Sequence, residues 1–250
     1  MSDSLVIIPT YNEKENIALM LEAVFSLDHQ FDVLIVDDNS PDGTAKIIKN
    51  IREDMKGSKL ERRLHLVERK GKMGLGTAYI RGFAFALEKN YEYVFEMDAD
   101  FSHNPKDLVK LYKACAKDGY DVAIGSRYVS GVNVVNWPLG RVMLSYFASY
   151  YVRFITGMKI KDSTAGFVCY RRSVLEAINL DRIKFIGYAF QIEMKFWAMK
   201  LGFKIKEVPI VFTDRIRGKS KMSISIFREA FIGVISMKLS SVFRPSLMKK

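Results

Sequence analysis

The feature that most constrains this chain is the regular alternation, through its first half, of short apolar runs with longer helical stretches. Residues 5–8, 33–36, 64–68, 93–97 and 121–125 are short and rich in Val, Ile, Leu and aromatics, the signature of strands. Between them, residues 13–27, 44–55, 76–90 and 105–117 carry helical spacing. Asp42 is placed to cap the second helix, and Pro105 suits the first turn of the fourth. Strands that are apolar nearly throughout are buried on both faces, so the pattern predicts an α/β fold: a mostly parallel, Rossmann-like sheet with helices on both faces. The second half is less regular, with helices at 142–155 and 188–200 and strands at 166–170 and 204–212. A long apolar helix at 223–243 closes it. This predicts one domain over 1–222, followed by an amphipathic, basic, membrane-associating segment over 223–250.

Charge narrows the choice of partner. The net charge is +11, and the last 50 residues hold eleven Lys and Arg against three Asp and Glu, supplying +8 of it. These cations are interleaved with Phe, Ile, Met and Val, which suits an anionic membrane surface better than a nucleic acid. No uncharged apolar run reaches the about 18 residues needed for a span, and residues 1–4 form no basic leader, so neither a membrane helix nor a signal peptide is expected. Cys115 and Cys169 form no CxxC pair, as suits a reducing, cytoplasmic setting. The three histidines, His29, His65 and His103, lack metal-ligand spacing.

In an open parallel sheet, ligands bind beyond the carboxyl ends of the strands. Four of the strands end in polar clusters: 9–13 (Pro-Thr-Tyr-Asn-Glu), 37–43 (Asp-Asp-Asn-Ser-Pro-Asp-Gly), 98–100 (Asp-Ala-Asp) and 126–127 (Ser-Arg). Any one could be turn chemistry, but four at one edge point to a site. Asp98 and Asp100, two apart in an extended segment, share a face while Ala99 points away. They can line one cleft, with Asp100 on Mg²⁺ or Mn²⁺ and Asp98 on a ribose or an ordered water. The glycines of 71–77 open a helix without the spacing of a dinucleotide or P-loop motif; a phosphate loop and a plain turn are both open readings. The basic run 214–221 lies where a diphosphate or an anionic acceptor needs cations.

Taken together, these residues resemble the family-2 glycosyltransferases of GT-A fold, and within them the polyprenol-phosphate (dolichol-phosphate) mannose synthase branch. The matching segments are Ile8 to Glu13, Val36 to Thr44, Gly74 to Tyr79, Met97 to His103, Gly125 to Tyr128, Asp162 to Phe167, Gly187 to Gln191 and Val208 to Ile210, with Asp214-Arg215 and Ser220-Lys221. The resemblance implies that Pro9, Tyr11, Glu13, Val36 and Asp38 hold the guanosine end of GDP-mannose. It implies that Asp98, Ala99 and Asp100 lie along ribose, diphosphate and metal. Ser102 stands where some relatives carry Gln as a further metal contact. Arg127 would meet the donor sugar or diphosphate, Arg141 and Ser145 the acceptor phosphate, and Arg215 and Lys221 the phosphates. Asp100, Arg127, Arg215 and Lys221 are thus the catalytic candidates.

The implied reaction moves mannose from GDP-mannose to a polyprenyl (dolichyl) phosphate in the membrane. A phosphate monoester, whose second pKa is about 6, is already largely a dianion at neutral pH and needs orientation more than a base. Direct inverting displacement follows, with metal and cations on the departing diphosphate. A UDP-sugar-dependent polyprenol-phosphate transferase shares most of the motifs. A nucleic-acid-binding module leaves the acidic strand ends unexplained. The expected setting is cytoplasmic and peripheral to the inner face of the membrane, with a membrane-anchoring partner possible.

Overall fold

The computed structural model describes residues 2–187, 189–214 and 224–243; the side chains of 224–230, 232, 242 and 243 lie outside that description. Strands β1 (Ser4–Thr10), β2 (Asp32–Asp37), β3 (Leu64–Glu68), β4 (Tyr93–Glu96), β5 (Val122–Ser126), β7 (Val168–Arg171) and β8 (Ile205–Pro209) form one sheet in the order β3-β2-β1-β4-β7-β5-β8. Two-residue strands β6 (Val134–Val135) and β9 (Phe212–Thr213) pair separately. The helices are α1 (Ile17–Phe25), α2 (Thr44–Asp54), α3 (Leu75–Glu88), α4 (Asp107–Ala116), α5 (Leu139–Thr156), α6 (Arg172–Ala177), α7 (Ala189–Lys200) and α8 (Ile224–Phe243).

The strands are apolar throughout because each face of the sheet has its own core. Leu5 and Ile7 of β1, with Leu34 and Val36 of β2, pack under α3, α6 and α7. Their neighbours Val6, Ile8, Val33 and Ile35 point the other way, into α1, α2 and α4. The two-residue period of a strand therefore splits one apolar run between two cores. A helix enclosed on every side is ordinarily apolar all round; α7 is enclosed, with residues 189–198 all buried, yet it carries Gln191, Glu193 and Lys195 inside.

Strand order reverses between β2–β1 on one side and β4 on the other, so the crevice between β1 and β4 is the switch point at which such sheets bind ligands. Only β7 runs antiparallel, between β4 and β5. Its N-terminal turn therefore arrives at the edge where the parallel strands end. The 204–212 run also divides: β8 pairs with β5, while β9 leaves the sheet to pair with β6.

The last helix departs from the amphipathic expectation. Its Val234 and Met237 are buried against the core, but Phe231, Ile235 and Leu239 are apolar and exposed on the other side. Among its described side chains, no polar face opposes an apolar one.

Candidate active site

The loops after β1 and β2 are laced into one unit, built from strand ends that pair Pro9 with Val36 and Thr10 with Asp37. Asp37 is fully buried and committed to the turn: its carboxylate accepts the Thr10 hydroxyl at 2.8 Å, the Ser40 hydroxyl at 2.6 Å and the Ser40 N–H at 2.9 Å. The Asn12, Glu13 and Lys14 N–H groups are taken by Ser40, Thr44 and Asp42 side chains, each at 3.0 Å. Helix α1 starts at Ile17 and not at Glu13, after a turn in which the Asn16 and Ile17 N–H groups both reach the Glu13 carbonyl at 3.0 Å. The N-cap of α2 is Gly43 and not Asp42, which sits one residue earlier and accepts the Thr44 N–H at 2.9 Å. Burial pushes the Asp42 carboxyl up, but the bonds from Thr44 and Lys14 outweigh it and hold the group below its ordinary value. Glu13 is buried, with the Asn16 amide on its carboxylate at 2.9 Å. Tyr11 lies beneath the Lys72 ammonium, 5.3 Å from its ring centre.

Asp38 differs from its neighbour. Its carboxylate is held by Arg69, whose Nε and Nη2 both lie 2.5 Å from Oδ1. Nη1 of the same guanidinium reaches the Thr77 hydroxyl at 2.6 Å, and Nη2 reaches the Gly74 carbonyl at 3.3 Å. Arg69 thus ties the Asp38 carboxylate to the start of α3. Sequence reasoning passed over it, although it follows β3 at the same sheet edge and ends that strand as the other clusters end theirs. The glycine run resolves as packing. The Gly76 N–H is bound to the Ile186 carbonyl at 2.8 Å, and a Cβ there would sit 2.8 Å from the Phe185 carbonyl and the Phe190 ring. Gly74 adopts φ +96, a conformation in which a side chain is strained.

After β4, Ala99 turns into the core while Asp98 and Asp100 face the edge. The Asp98 side chain is 40% exposed. Asp100 is nearly buried, its Oδ1 accepting the Ser102 N–H at 3.1 Å and the Ser102 hydroxyl at 2.5 Å. Ser102 therefore spends its proton on orienting Asp100. His103 Nδ1 accepts the Asp98 N–H at 3.4 Å, which leaves the ring proton on Nε2, and its ring stacks on Phe167 at 4.9 Å. Burial lowers the His103 pKa to about 4 against the pull of the Asp100 charge, so the ring is neutral at physiological pH. Among the described residues, no three His, Cys, Asp or Glu side chains converge on one metal position. One exposed and one oriented carboxylate fit a hard divalent cation that takes its remaining oxygens from a diphosphate and water.

Arg127, just past β5, is clamped by Asp162. Nε to Oδ2 is 2.7 Å, Nη2 to Oδ1 is 2.6 Å, and the Arg127 N–H also binds Oδ2 at 2.9 Å. Its guanidinium lies 5.2–5.6 Å from the rings of Tyr128, Trp137 and Phe212. Burial raises the Asp162 pKa, yet the Arg127 charge and bonds prevail and hold it below the ordinary value. Arg141 also lies over Trp137, 4.1 Å from the ring centre, and pairs with Asp214 at 2.8 Å. Ser145, one turn along α5, is half-buried beside Tyr128. The β6–β9 pair, with the Thr213 N–H on the Ser102 carbonyl at 3.2 Å, draws Asp214 to this edge. Arg215 and Lys221 lie outside the described residues.

Pro9, Tyr11, Glu13, Val36, Asp38, Asp98, Ala99, Asp100, Ser102 and Arg127 are thus in or just past strands whose carboxyl ends share one edge, with Arg141 and Ser145 on the helix beside it. Along nearly its whole length the chain is similar to known proteins. The chain is 47% identical, over 92% of its length and 85% of the relative's, to a protein of Mycolicibacterium smegmatis named polyprenol monophosphomannose synthase. It is 44% identical, over 95% of its length and 94% of the relative's, to an undecaprenyl-phosphate mannosyltransferase of Micrococcus luteus. Its fold matches glucosyl-3-phosphoglycerate synthase from Mycobacterium tuberculosis, solved with Mn²⁺, UDP and phosphoglyceric acid, at a TM-score of 0.65 and 17% identity, over 94% of this chain and 77% of that one. It also matches a mannosyltransferase from Pyrobaculum calidifontis, solved with GDP-Man and Mn²⁺, at a TM-score of 0.57 and 19% identity, over 97% of this chain and 64% of that one. With residues 5–178 matching the model for glycosyl transferase family 2, the chain belongs to that family.

Proposed function

We propose that this chain moves mannose from GDP-mannose to a polyprenyl phosphate, with inversion, giving polyprenyl-phosphate mannose. The observation that carries the reading is identity above 40% along nearly the whole chain to two proteins named for mannosyl transfer to such lipids. The site chemistry supports it. In this reading Pro9, Tyr11, Glu13, Val36 and Asp38 hold the guanosine, with Arg69 fixing the Asp38 carboxylate. Asp98, Ala99 and Asp100 flank the ribose and diphosphate, and Asp98 and Asp100, with Ser102 behind Asp100, hold Mg²⁺ or Mn²⁺. That ion supplies Lewis-acid charge to the departing diphosphate. Arg127 faces the donor sugar and diphosphate, while Arg141 and Ser145 receive the acceptor phosphate. Arg215 and Lys221 complete the neutralisation. The acceptor is already anionic, so these residues orient it and no base is needed.

The lipid acceptor gives meaning to α5. Leu139, Met143, Phe147, Tyr150 and Phe154 recur at helical spacing on one face and are all exposed, Leu139 by 74% and Phe154 by 78%. Tyr151 stacks on Phe231 at 4.4 Å, joining this stripe to the exposed apolar side of α8. Among the described residues no helix is long and apolar enough to cross a membrane. An in-plane attachment to the cytoplasmic face fits these facts, with 1–222 as the catalytic domain, 223–250 as a basic membrane-associating segment, and room for an anchoring partner. The test is purified protein with radiolabelled GDP-mannose, polyprenyl phosphate and Mn²⁺ or Mg²⁺, run beside UDP-sugars. Label in extractable lipid from GDP-mannose alone is expected; label only from a UDP-sugar would contradict the donor, and none from any donor would contradict the activity.

A further inference from the structure

Beneath the site lies a sealed cluster of polar groups with no part in the chemistry above. Lys195, on the enclosed helix α7, is fully buried. Its ammonium donates to the Ala165 carbonyl at 2.5 Å, the Gln191 carbonyl at 3.0 Å and the Gln191 side-chain oxygen at 3.4 Å. Facing it are Glu96 of β4, also fully buried, and Asp162, with Arg127 and Glu207 within electrostatic range. Burying a lysine is costly unless its partners repay it; here Gln191 of the same helix and the Glu96 charge share that role with the Ala165 carbonyl, which belongs to the turn 162–166.

That turn precedes the antiparallel strand β7, and it carries Asp162, whose carboxylate grips Arg127 in three bonds. The Thr164 hydroxyl accepts a fourth from Arg127 at 2.9 Å. The Glu207 carboxylate supports the turn from its other side, taking the Lys161 N–H at 2.8 Å and the Asp162 N–H at 2.9 Å. A continuous path of bonds therefore runs from the α7 interior to the guanidinium at the sheet edge.

We propose that Lys195 is a positioning residue for transfer: by holding the Ala165 carbonyl it fixes the 162–166 turn, and through Asp162 it sets the aim of Arg127 at the donor diphosphate. The idea rests on the role given to Arg127 above, and the experiment separates the two. Catalytic efficiency toward GDP-mannose is measured for the full chain, for Lys195→Met, for Arg127→Ala and for the double variant, with folding followed by circular dichroism. Lys195→Met is expected to lower efficiency by about tenfold in the parent and by less than about twofold once Arg127 is gone, because groups acting through one another are not additive. Equal losses in both backgrounds, or no loss in the parent, would overturn the positioning role. An Arg127→Ala variant of undiminished efficiency would instead sink the role assigned to Arg127. Should Lys195→Met fail to fold, Lys195→Gln, which keeps an N–H but loses the charge and the reach, enters the same cycle with the same expected outcomes.

Discussion

The two sides of the site are built differently. From β1 to β4 the strand ends are cross-linked: Asp37, Ser40, Asp42 and Thr44 each bond to the neighbouring loop, and the carboxylates of Glu13, Asp38 and Asp100 are nearly buried and held. From Tyr128 to α8 the chain exposes Leu139, Phe147, Tyr150, Phe154, Phe231 and Leu239 to solvent, and its site residues hang on a two-residue strand pair and one exposed helix. A rigid, polar wall suits a soluble nucleotide that must be placed once. An apolar, loosely tied wall suits an acceptor whose hydrocarbon stays in a membrane.

Breaking the rigid side should cost most. Asp100→Ala should lower turnover by roughly 10³-fold while leaving the fold intact, since the proposed role of Asp100 is to hold the cation that would meet the developing diphosphate charge. Steady-state kinetics beside circular dichroism check this, and near-normal turnover would refute its role. Arg69→Ala should raise the KM for GDP-mannose by about tenfold with little change in KM for the lipid, because it frees Asp38 without touching the acceptor wall. Equal changes in both would blur the division between the walls. On the other side, Phe147→Ser with Phe154→Ser should weaken flotation with anionic liposomes by about tenfold, as two exposed aromatics lose apolar area to bury. Turnover on a short, water-soluble acceptor phosphate should be unchanged, and unchanged flotation would show that the stripe does not meet lipid.

How much of this was legible in the sequence follows the same division. The first five strands are where the apolar runs placed them, because strands buried on both faces leave an unbroken signal; the first four helices are present, but α1 begins four residues late and α4 begins at Asp107, beyond Pro105. Asp38, Asp98, Asp100 and Glu13 could be found as strand-end carboxylates. The strand-end pattern alone did not tell Asp37 from Asp38, a choice made only through the family resemblance, since which of two adjacent acids turns into the loop is settled by Thr10 and Ser40 across the edge. The direction of β7 was hidden as well: its apolar residues read the same either way, yet only the antiparallel course brings Asp162 to Arg127. The Gly74–Gly76 turn was undecidable because the backbone it packs against, at Ile186, lies far along the chain.

The smallest effect concerns pH. Folded His103 resists protonation down to about pH 4, whereas the unfolded ring titrates near its ordinary 6.5. Below pH 6.5 the unfolded chain thus binds the extra proton, so stability contributed by the neutral ring falls as pH drops from 6.5 to 4. Denaturant melts of the parent and His103→Asn at pH 7 and pH 5 should show a smaller acid loss in the variant; parallel losses would remove His103 as the cause.

The central claim is that the acidic edge binds the donor diphosphate through a divalent cation. Calorimetric titration of GDP into the protein, with and without Mn²⁺, tests it most directly. The account requires affinity to rise by about tenfold or more with Mn²⁺ in the parent and to stay flat in Asp100→Asn. Equal GDP affinity with and without the ion in the parent would contradict it.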